Sequence, residues 1–363
     1  MRPLLLSAAV LLTTFSSLLQ PIEGLAHLNH PKRTASPLSA DGVSDPLWPP
    51  TTLHPWPGLA GIKHAFFFGD SYTTLKYDVN AAPHPSIANP LGLPYPGLPT
   101  SNGPNWVSYL TYHHNSSTIL SFALAFGGAT ISRPLIPPFE GYIWDLDQQL
   151  SYWGGRLCNG KWYNWKRESS LAFFWFGIND VWRSWEKGGQ REGGLEELYA
   201  RVLDKYQEGW ERVRKCGVGA MLVLNVPPID LSPSGLKLVP AQRAKLKAAV
   251  ELFNAMLASK LAGYKTGMTL ITDGVGMHVF SVNAHKLFSD VIVHKDRWGF
   301  EEAERQCKYF EAYKKGADVK LSEEGVDERC SPKEAARWVW RDGLHPMSRV
   351  HWIVASGVAW TLG

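Results

Sequence analysis

Four short segments of the 363-residue chain carry the side chains that could do chemistry. Phe66-Phe67-Phe68 runs directly into Gly69-Asp70-Ser71-Tyr72, which sets a serine on a turn at the end of an apolar run. Phe126-Gly127-Gly128-Ala129-Thr130 offers free backbone N–H groups that can face an anion. Gly177-Ile178-Asn179-Asp180 places an amide side chain after a third apolar run, and Asp342-Gly343-Leu344-His345-Pro346 puts a carboxylate three residues ahead of an imidazole. Acyl transfer needs these parts. Serine attacks poorly until a base takes its proton, and imidazole titrates near neutrality. A carboxylate on the other ring nitrogen fixes the tautomer and stabilises the imidazolium. N–H donors must then meet the oxyanion, each worth roughly 3–4 kcal/mol of barrier.

These segments become one site only if the fold brings them to one edge. Short apolar runs predict strands at Ala65–Phe68, Ile119–Ala125, Leu171–Phe176, Ala220–Val226 and Met268–Ile271. Helices are expected between them. Leu195 to Lys215 aligns Leu198, Val202, Tyr206, Trp210 and Val213 on one face, with Gly217 as the C-terminal stop. Ala241 to Tyr264 aligns Leu246, Val250, Phe253 and Leu257 behind Pro240, and a last helix runs from Ser348 to the end. Strands alternating with helices predict an α/β fold, a three-layer α/β/α sandwich with a five-stranded parallel sheet. Ligands of such sheets bind at the carboxyl ends of the strands, where all four segments fall.

At this point the sequence resembles the SGNH (GDSL-type) hydrolases. Their four blocks look like Gly69-Asp70-Ser71, the glycine pair at 127–128, Gly177-Ile178-Asn179-Asp180 and Asp342-Gly343-Leu344-His345-Pro346, spanning roughly residues 61–363. Ser101-Asn102-Gly103-Pro104-Asn105-Trp106, Ala125 to Thr130 and Trp340-Arg341-Asp342 resemble the fungal acetyl esterases of that superfamily, which act on acetylated plant cell-wall saccharides. The resemblance implies a flavodoxin-like fold and no cofactor. It implies Ser71 as nucleophile, His345 as base and then acid, and Asp342 as its orienting carboxylate. The oxyanion hole would consist of the Ser71 and Gly128 N–H groups and the Asn179 amide, with Gly127 as the alternative by a shift of one. Three positions depart from the pattern. Tyr72 stands for the usual Leu and is expected to touch no chemistry. Ala123 replaces an Asn that would support the oxyanion loop. Met347 replaces a Thr that would cap the last helix.

Other residues narrow the field. Hydrophobic residues make up 45% and charged residues 19%, so a sizeable core is expected. The formal net charge of +4 is too small to suggest a nucleic-acid binder. The uncharged run from Leu4 to Leu19, followed by Gly24-Leu25-Ala26, predicts a signal peptide over residues 1–26 and a secreted protein without a membrane span. Residues 27–60 read as an irregular arm, with Lys32-Arg33 as a second processing site. In an oxidising compartment Cys158, Cys216, Cys307 and Cys330 allow three pairings. The charged insert after Cys307 favours Cys307–Cys330, and Cys158–Cys216 then follows. The cysteine spacing suits no metal site. Asn115-Ser116-Ser117 is a glycosylation sequon. Gly155 to Lys161 approaches a P-loop, but Trp162 stands where a magnesium-binding hydroxyl belongs.

Trp175, Trp182, Trp185 and Trp340 flank the site blocks and could be either a platform for sugar rings or core. The expectation is therefore a secreted, monomeric serine esterase acting on short acyl groups, above all acetate, of a saccharide or another small ester. A longer-chain lipase of the same fold and a catalytically idle carbohydrate-binding protein are the alternatives.

Overall fold

A computed structural model of the protein describes residues 55–78, 80–81, 83–158, 163–186, 193–269, 276–307, 330 and 335–363. The expected leader, the dibasic site and the arm up to residue 54 lie outside the described residues, as do residues 159–162 of the near P-loop. In chain order the main elements are β1 (His64–Gly69), α1 (Trp106–Tyr112), β2 (Leu120–Ala123), α2 (Leu146–Arg156), β3 (Ser170–Trp175) and α3 (Ile178–Ser184). There follow α4 (Gly194–Lys215), β4 (Ala220–Leu224), α5 (Pro233–Leu236), α6 (Pro240–Thr269), β5 (His278–Val282) and α7 (Ala284–Val293). The last are β6 (Glu302–Gln306), β7 (Trp338–Trp340) and α8 (Ser348–Leu362).

Five strands form one sheet in the order β2-β1-β3-β4-β5, and every neighbouring pair is parallel. The chain therefore moves from β1 outward to β2 and then returns to β3 on the other side of β1. That reversal opens a crevice at the carboxyl ends of β1 and β3. β3 and β4 are buried along their whole length, which is why their sequences read as unbroken apolar runs. Phe67 stacks on Phe173 at 4.6 Å and Phe68 on Phe174 at 5.2 Å, so neighbouring strands lock side chain to side chain across the register. Helices α1, α7 and α8 pack together, as do α2, α4 and α6, giving the three expected layers. Among the described residues no helix is long and apolar enough to cross a membrane.

The helix signals read from sequence mark real ends. At the end of α4, Gly217 takes φ +100°. Its N–H donates to the Arg214 carbonyl and the Val218 N–H to that of Val213, a Schellman stop. The last strand is a correction. Met268 is not strand but the end of the 30-residue α6, and residues 270–271 lie outside the described set. The fifth strand is His278–Val282, an edge strand with only Val279 and Val282 buried. A short, mostly apolar stretch such as Met268-Thr269-Leu270-Ile271 reads like a buried strand, and period alone does not separate strand from helix there.

The arm is tied down where it meets the domain. Trp56 lies 4.8 Å from Phe280 of β5 and donates its indole N–H to the Leu362 carbonyl at 2.8 Å. The four cysteines pair as Cys158–Cys216 and Cys307–Cys330, each with Cα atoms 5.5 Å apart. Cys307 directly follows β6, and its N–H donates at 3.1 Å to the carbonyl of Trp340 at the end of β7, where the segment that carries His345 begins.

Candidate active site

The turn after β1 is held by its own carboxyl group. Asp70 Oδ1 accepts the Tyr72 N–H at 3.0 Å, and the Asp70 carbonyl accepts those of Thr73 and Thr74. Ser71 is thereby left at the rim of the crevice with 9% of its surface exposed. From the other side, Trp340 and Pro346 bridge across a tight turn. Inside it Asp342 Oδ1 accepts the Leu344 and His345 N–H groups at 3.0 and 2.8 Å. The same carboxylate meets His345 Nδ1 at 2.8 and 2.9 Å, and His345 Nε2 lies 2.8 Å from Ser71 Oγ. A carboxylate only accepts, so Nδ1 carries the proton and Nε2 is the free base facing the hydroxyl.

Charge supports this state. Burial pushes Asp342 upward, but the bonds from His345 and the turn outweigh it and hold the group well below the usual carboxylate range. The acid therefore stays ionised beside the imidazole.

The glycine-pair segment lies against the serine. A Cβ on Gly127 would sit 3.9 Å from Ser71 Cβ. Gly128 takes φ +82°, and a Cβ there would come within 2.8 Å of Ile143, so glycine suits this turn on both counts. Among the described residues, the N–H groups of Ser71, Gly127 and Gly128 have no protein partner, as an anion site requires. Asn179 lies on the first turn of α3, after Gly177 at φ +109°, where a Cβ would meet Val226 and Phe253 at 2.6 and 2.7 Å. Its amide donates to the Ala129 carbonyl at 2.9 Å, one residue after Gly128, which leaves its second N–H available. Ser71, His345 and Asp342 are thus joined directly, and Gly127, Gly128 and Asn179 lie alongside.

Several positioning contacts were not legible from the blocks. Tyr72, expected to touch no chemistry, donates its hydroxyl to the Leu344 carbonyl and so ties the serine turn to the histidine turn. Burial, with Asp70 and Asp342 nearby, pushes its phenol well above its ordinary pKa, so it remains a donor. Thr100 and the adjoining segment that resembles the acetyl esterases bridge the same two turns. Thr100 donates to the Ser71 carbonyl at 2.5 Å, and Asn105 caps α1 while donating to the Thr74 carbonyl at 3.1 Å. Met347 provides no cap for α8, but Asn102 Oδ1 accepts the Ser348 N–H at 2.8 Å from across the site. The missing cap is supplied by tertiary structure.

Three of the four tryptophans are core, and Trp182 is partly buried against it. Trp175 and Trp340 are fully buried and Trp185 is 8% exposed, so these rings cannot face a sugar. Their indole N–H groups are spent inside: Trp175 on Asn225 and Trp340 on Ala303. Asn115 is half-buried, and its amide donates to the Leu110 and Thr111 carbonyls at the end of α1. A glycan there would replace one of those donors.

Two carboxyls lie beneath the site. Asp180 Oδ1 accepts the Ile131 N–H at 3.0 Å, and like Asp70 it is wholly buried with Oδ2 unpartnered. Burial pushes Asp70 up to about 8 and Asp180 up to about 7, and the charge of Asp180 adds to the rise at Asp70. A folded-state pKa above the unfolded value means stability present below about pH 4 and lost as pH rises through about 8. Asp70→Asn keeps an acceptor for Tyr72 N–H but cannot ionise. Its Tm is expected to match wild type at pH 4 and to exceed it by at least about 3 °C at pH 8. Equal melting curves at both pH values would show that Asp70 does not carry this burden.

Comparison with known proteins follows the same lines. A family model described as GDSL-like Lipase/Acylhydrolase matches residues 66–358. A curated acetylesterase of Thermothelomyces thermophilus is 31% identical over 205 residues, 56% of this chain and 66% of that protein. The chain thus spans just under two thirds of the length of this curated relative. Among solved structures, a member of the lipolytic G-D-S-L family from Veillonella parvula DSM 2008 is 13% identical with a TM-score of 0.39, covering 82% of this chain and 96% of its own. A mutant of an acetyl-xylooligosaccharide esterase from Geobacillus Stearmophilus is also 13% identical, with a TM-score of 0.41 and coverage of 83% and 94%.

Proposed function

The chain belongs to the GDSL-like lipase/acylhydrolase family, and from that premise we propose that it is a secreted serine esterase that removes short acyl groups, chiefly acetate, from saccharides. The observation that carries the reading is the unbroken line from Asp342 through His345 to Ser71 Oγ, with both links at 2.8 Å. Ser71 Oγ attacks the ester carbonyl as its proton passes to His345 Nε2. Asp342 stabilises the resulting imidazolium through Nδ1. The tetrahedral oxyanion rests on the N–H groups of Ser71 and Gly128 and on the Asn179 amide, donors already free and fixed before substrate arrives. His345 then gives its proton to the leaving alkoxide. Water, deprotonated by the same imidazole, releases the acid and restores Ser71.

The acetyl preference is supported by the curated acetylesterase relative and by the acetyl-esterase-like segments around Asn102, Gly128 and Arg341. Secretion is supported by the uncharged run from Leu4 to Leu19 and by two disulfides, which persist in oxidising compartments. The test compares kcat/KM on 4-nitrophenyl acetate and 4-nitrophenyl octanoate, with acetate release from acetylated oligosaccharides measured beside them. Acetyl turnover at least about tenfold above octanoyl, with acetate released, is expected; about 1.4 kcal/mol of selectivity suffices. A reversed preference would make the protein a lipase. Absence of turnover on every ester would leave only a binding function.

A further inference from the structure

We infer that Gln149 is a positioning residue for Ser71, its buried carboxamide standing in for a strand at the end of β1 and fixing the turn that presents the nucleophile. The inference deepens, and rests on, the serine-esterase reading above.

The parallel ladder between β1 and β2 pairs Phe67 with Ala123, and the Leu124 N–H donates to the Phe67 carbonyl at 2.9 Å. If the ladder ran on, the Gly69 N–H would go to the Leu124 carbonyl and the Gly69 carbonyl would receive the Phe126 N–H. Only the second bond forms, at 3.1 Å. The chain after Leu124 leaves the sheet to build the glycine turn of the oxyanion segment, and the first bond is lost. Gln149 fills that vacancy. Its Oε1 accepts the Gly69 N–H at 3.1 Å, and its Nε2 donates to the Gly69 carbonyl at 2.9 Å and to the Trp144 carbonyl at 3.3 Å. A side-chain amide thus acts as a peptide group on both polar atoms of the residue two before Ser71.

The placement is costly unless it is used. Gln149 lies on the inner face of α2 with Leu146, Leu150 and Trp153, all buried, where an apolar residue would pack at no polar expense. Every polar atom of this amide is satisfied, and all its partners belong to the serine turn or to the segment behind the oxyanion glycines. Trp144 itself stacks on Phe126, ring centroids 5.9 Å apart. Gln149 therefore holds the two halves of the reacting geometry at once. It touches neither substrate nor the reacting atoms, and acts through Gly69.

Gln149→Glu separates this role from mere packing. The neutral acid has one oxygen to accept from Gly69 N–H and one O–H to donate to the Gly69 carbonyl, as the amide does. The carboxylate would face that carbonyl oxygen with a charge, and burial raises its pKa into the working range. The readout is the ratio of variant to wild-type kcat on 4-nitrophenyl acetate between pH 5 and pH 8, in which His345, Asp70 and other groups common to both proteins cancel. The ratio is expected to approach one at pH 5 and to fall by about tenfold or more at pH 8, with KM within about twofold, because small displacements of a nucleophile cost rate more than binding. A ratio independent of pH in a folded variant would overturn the positioning role and leave the esterase reading standing. If the glutamate variant does not fold, Gln149→Asn, one methylene too short to reach Gly69, carries the test. Its kcat should drop about tenfold with KM little changed, and wild-type kcat would overturn the proposal. A wild type that turns over no ester would overturn both readings together.

Discussion

Ser71→Ala is expected to lower kcat on 4-nitrophenyl acetate by on the order of 10⁶-fold while the protein keeps its fold. The size follows from position. Ser71 Oγ is 2.8 Å from the one ring nitrogen that is free to take its proton, and removing it leaves His345 with only water to activate. Stability should change little, because the turn is held by Asp70 and Thr100 through backbone atoms of Ser71 and its neighbours, not by the hydroxyl. Residual catalysis would come from the oxyanion donors alone. Matched melting curves with collapsed turnover are the expected pair of results. Comparable rates in mutant and wild type would remove Ser71 as nucleophile.

Asp342→Asn is expected to cost about 10⁴-fold in kcat. The turn decides how the new amide sits. Oδ1 accepts both the Leu344 and His345 N–H groups, so the amide oxygen must stay there and the NH₂ must take the place of Oδ2. That NH₂ then points at His345 Nδ1, where Oδ2 now lies 2.9 Å away, and toward the Arg341 guanidinium. The amide oxygen stays 2.8 Å from Nδ1, but an NH₂ at the Oδ2 position repels a proton held on that nitrogen and favours the tautomer protonated on Nε2, which cannot accept from Ser71. The fold should survive because both turn bonds remain. A variant within about tenfold of wild type would mean that orientation by Asp342 matters less than its geometry implies.

Much of this arrangement is legible in the sequence alone. The inner strands β1, β3 and β4 carry continuous apolar runs because both faces of the sheet are covered, and α4 and α6 show a single buried face. The reactive blocks were legible for a related reason: a parallel sheet puts the end of every strand on one edge, so Gly69, Phe126 and Trp175 had to arrive together. The edge strand β5 was missed because His278, Phe280 and Ser281 are not buried, and its alternation is weaker than the apolar end of α6. Burial of individual aromatics was not legible either. Trp175 and Trp340 stand next to site blocks in sequence, yet both faces of β3 are covered and all of β7 is buried, so both rings lie inside. Least legible were the braces. Gln149, Tyr72, Asn102 and Arg341, whose guanidinium donates to the Thr100 carbonyl, work across 80 or more residues of chain, and nothing in a local window distinguishes them from ordinary polar positions.

The most direct measurement is covalent. The protein would be treated with diethyl 4-nitrophenyl phosphate, digested and read by mass spectrometry beside His345→Ala. In the wild type Ser71 Oγ displaces 4-nitrophenolate, and one diethylphosphoryl group is expected on the peptide that contains Ser71, in step with loss of esterase activity. The His345 variant should stay unmodified over the same time, since no base takes the serine proton. Inactivation with the adduct on any other residue, or esterase activity that survives full modification of Ser71, would contradict the account.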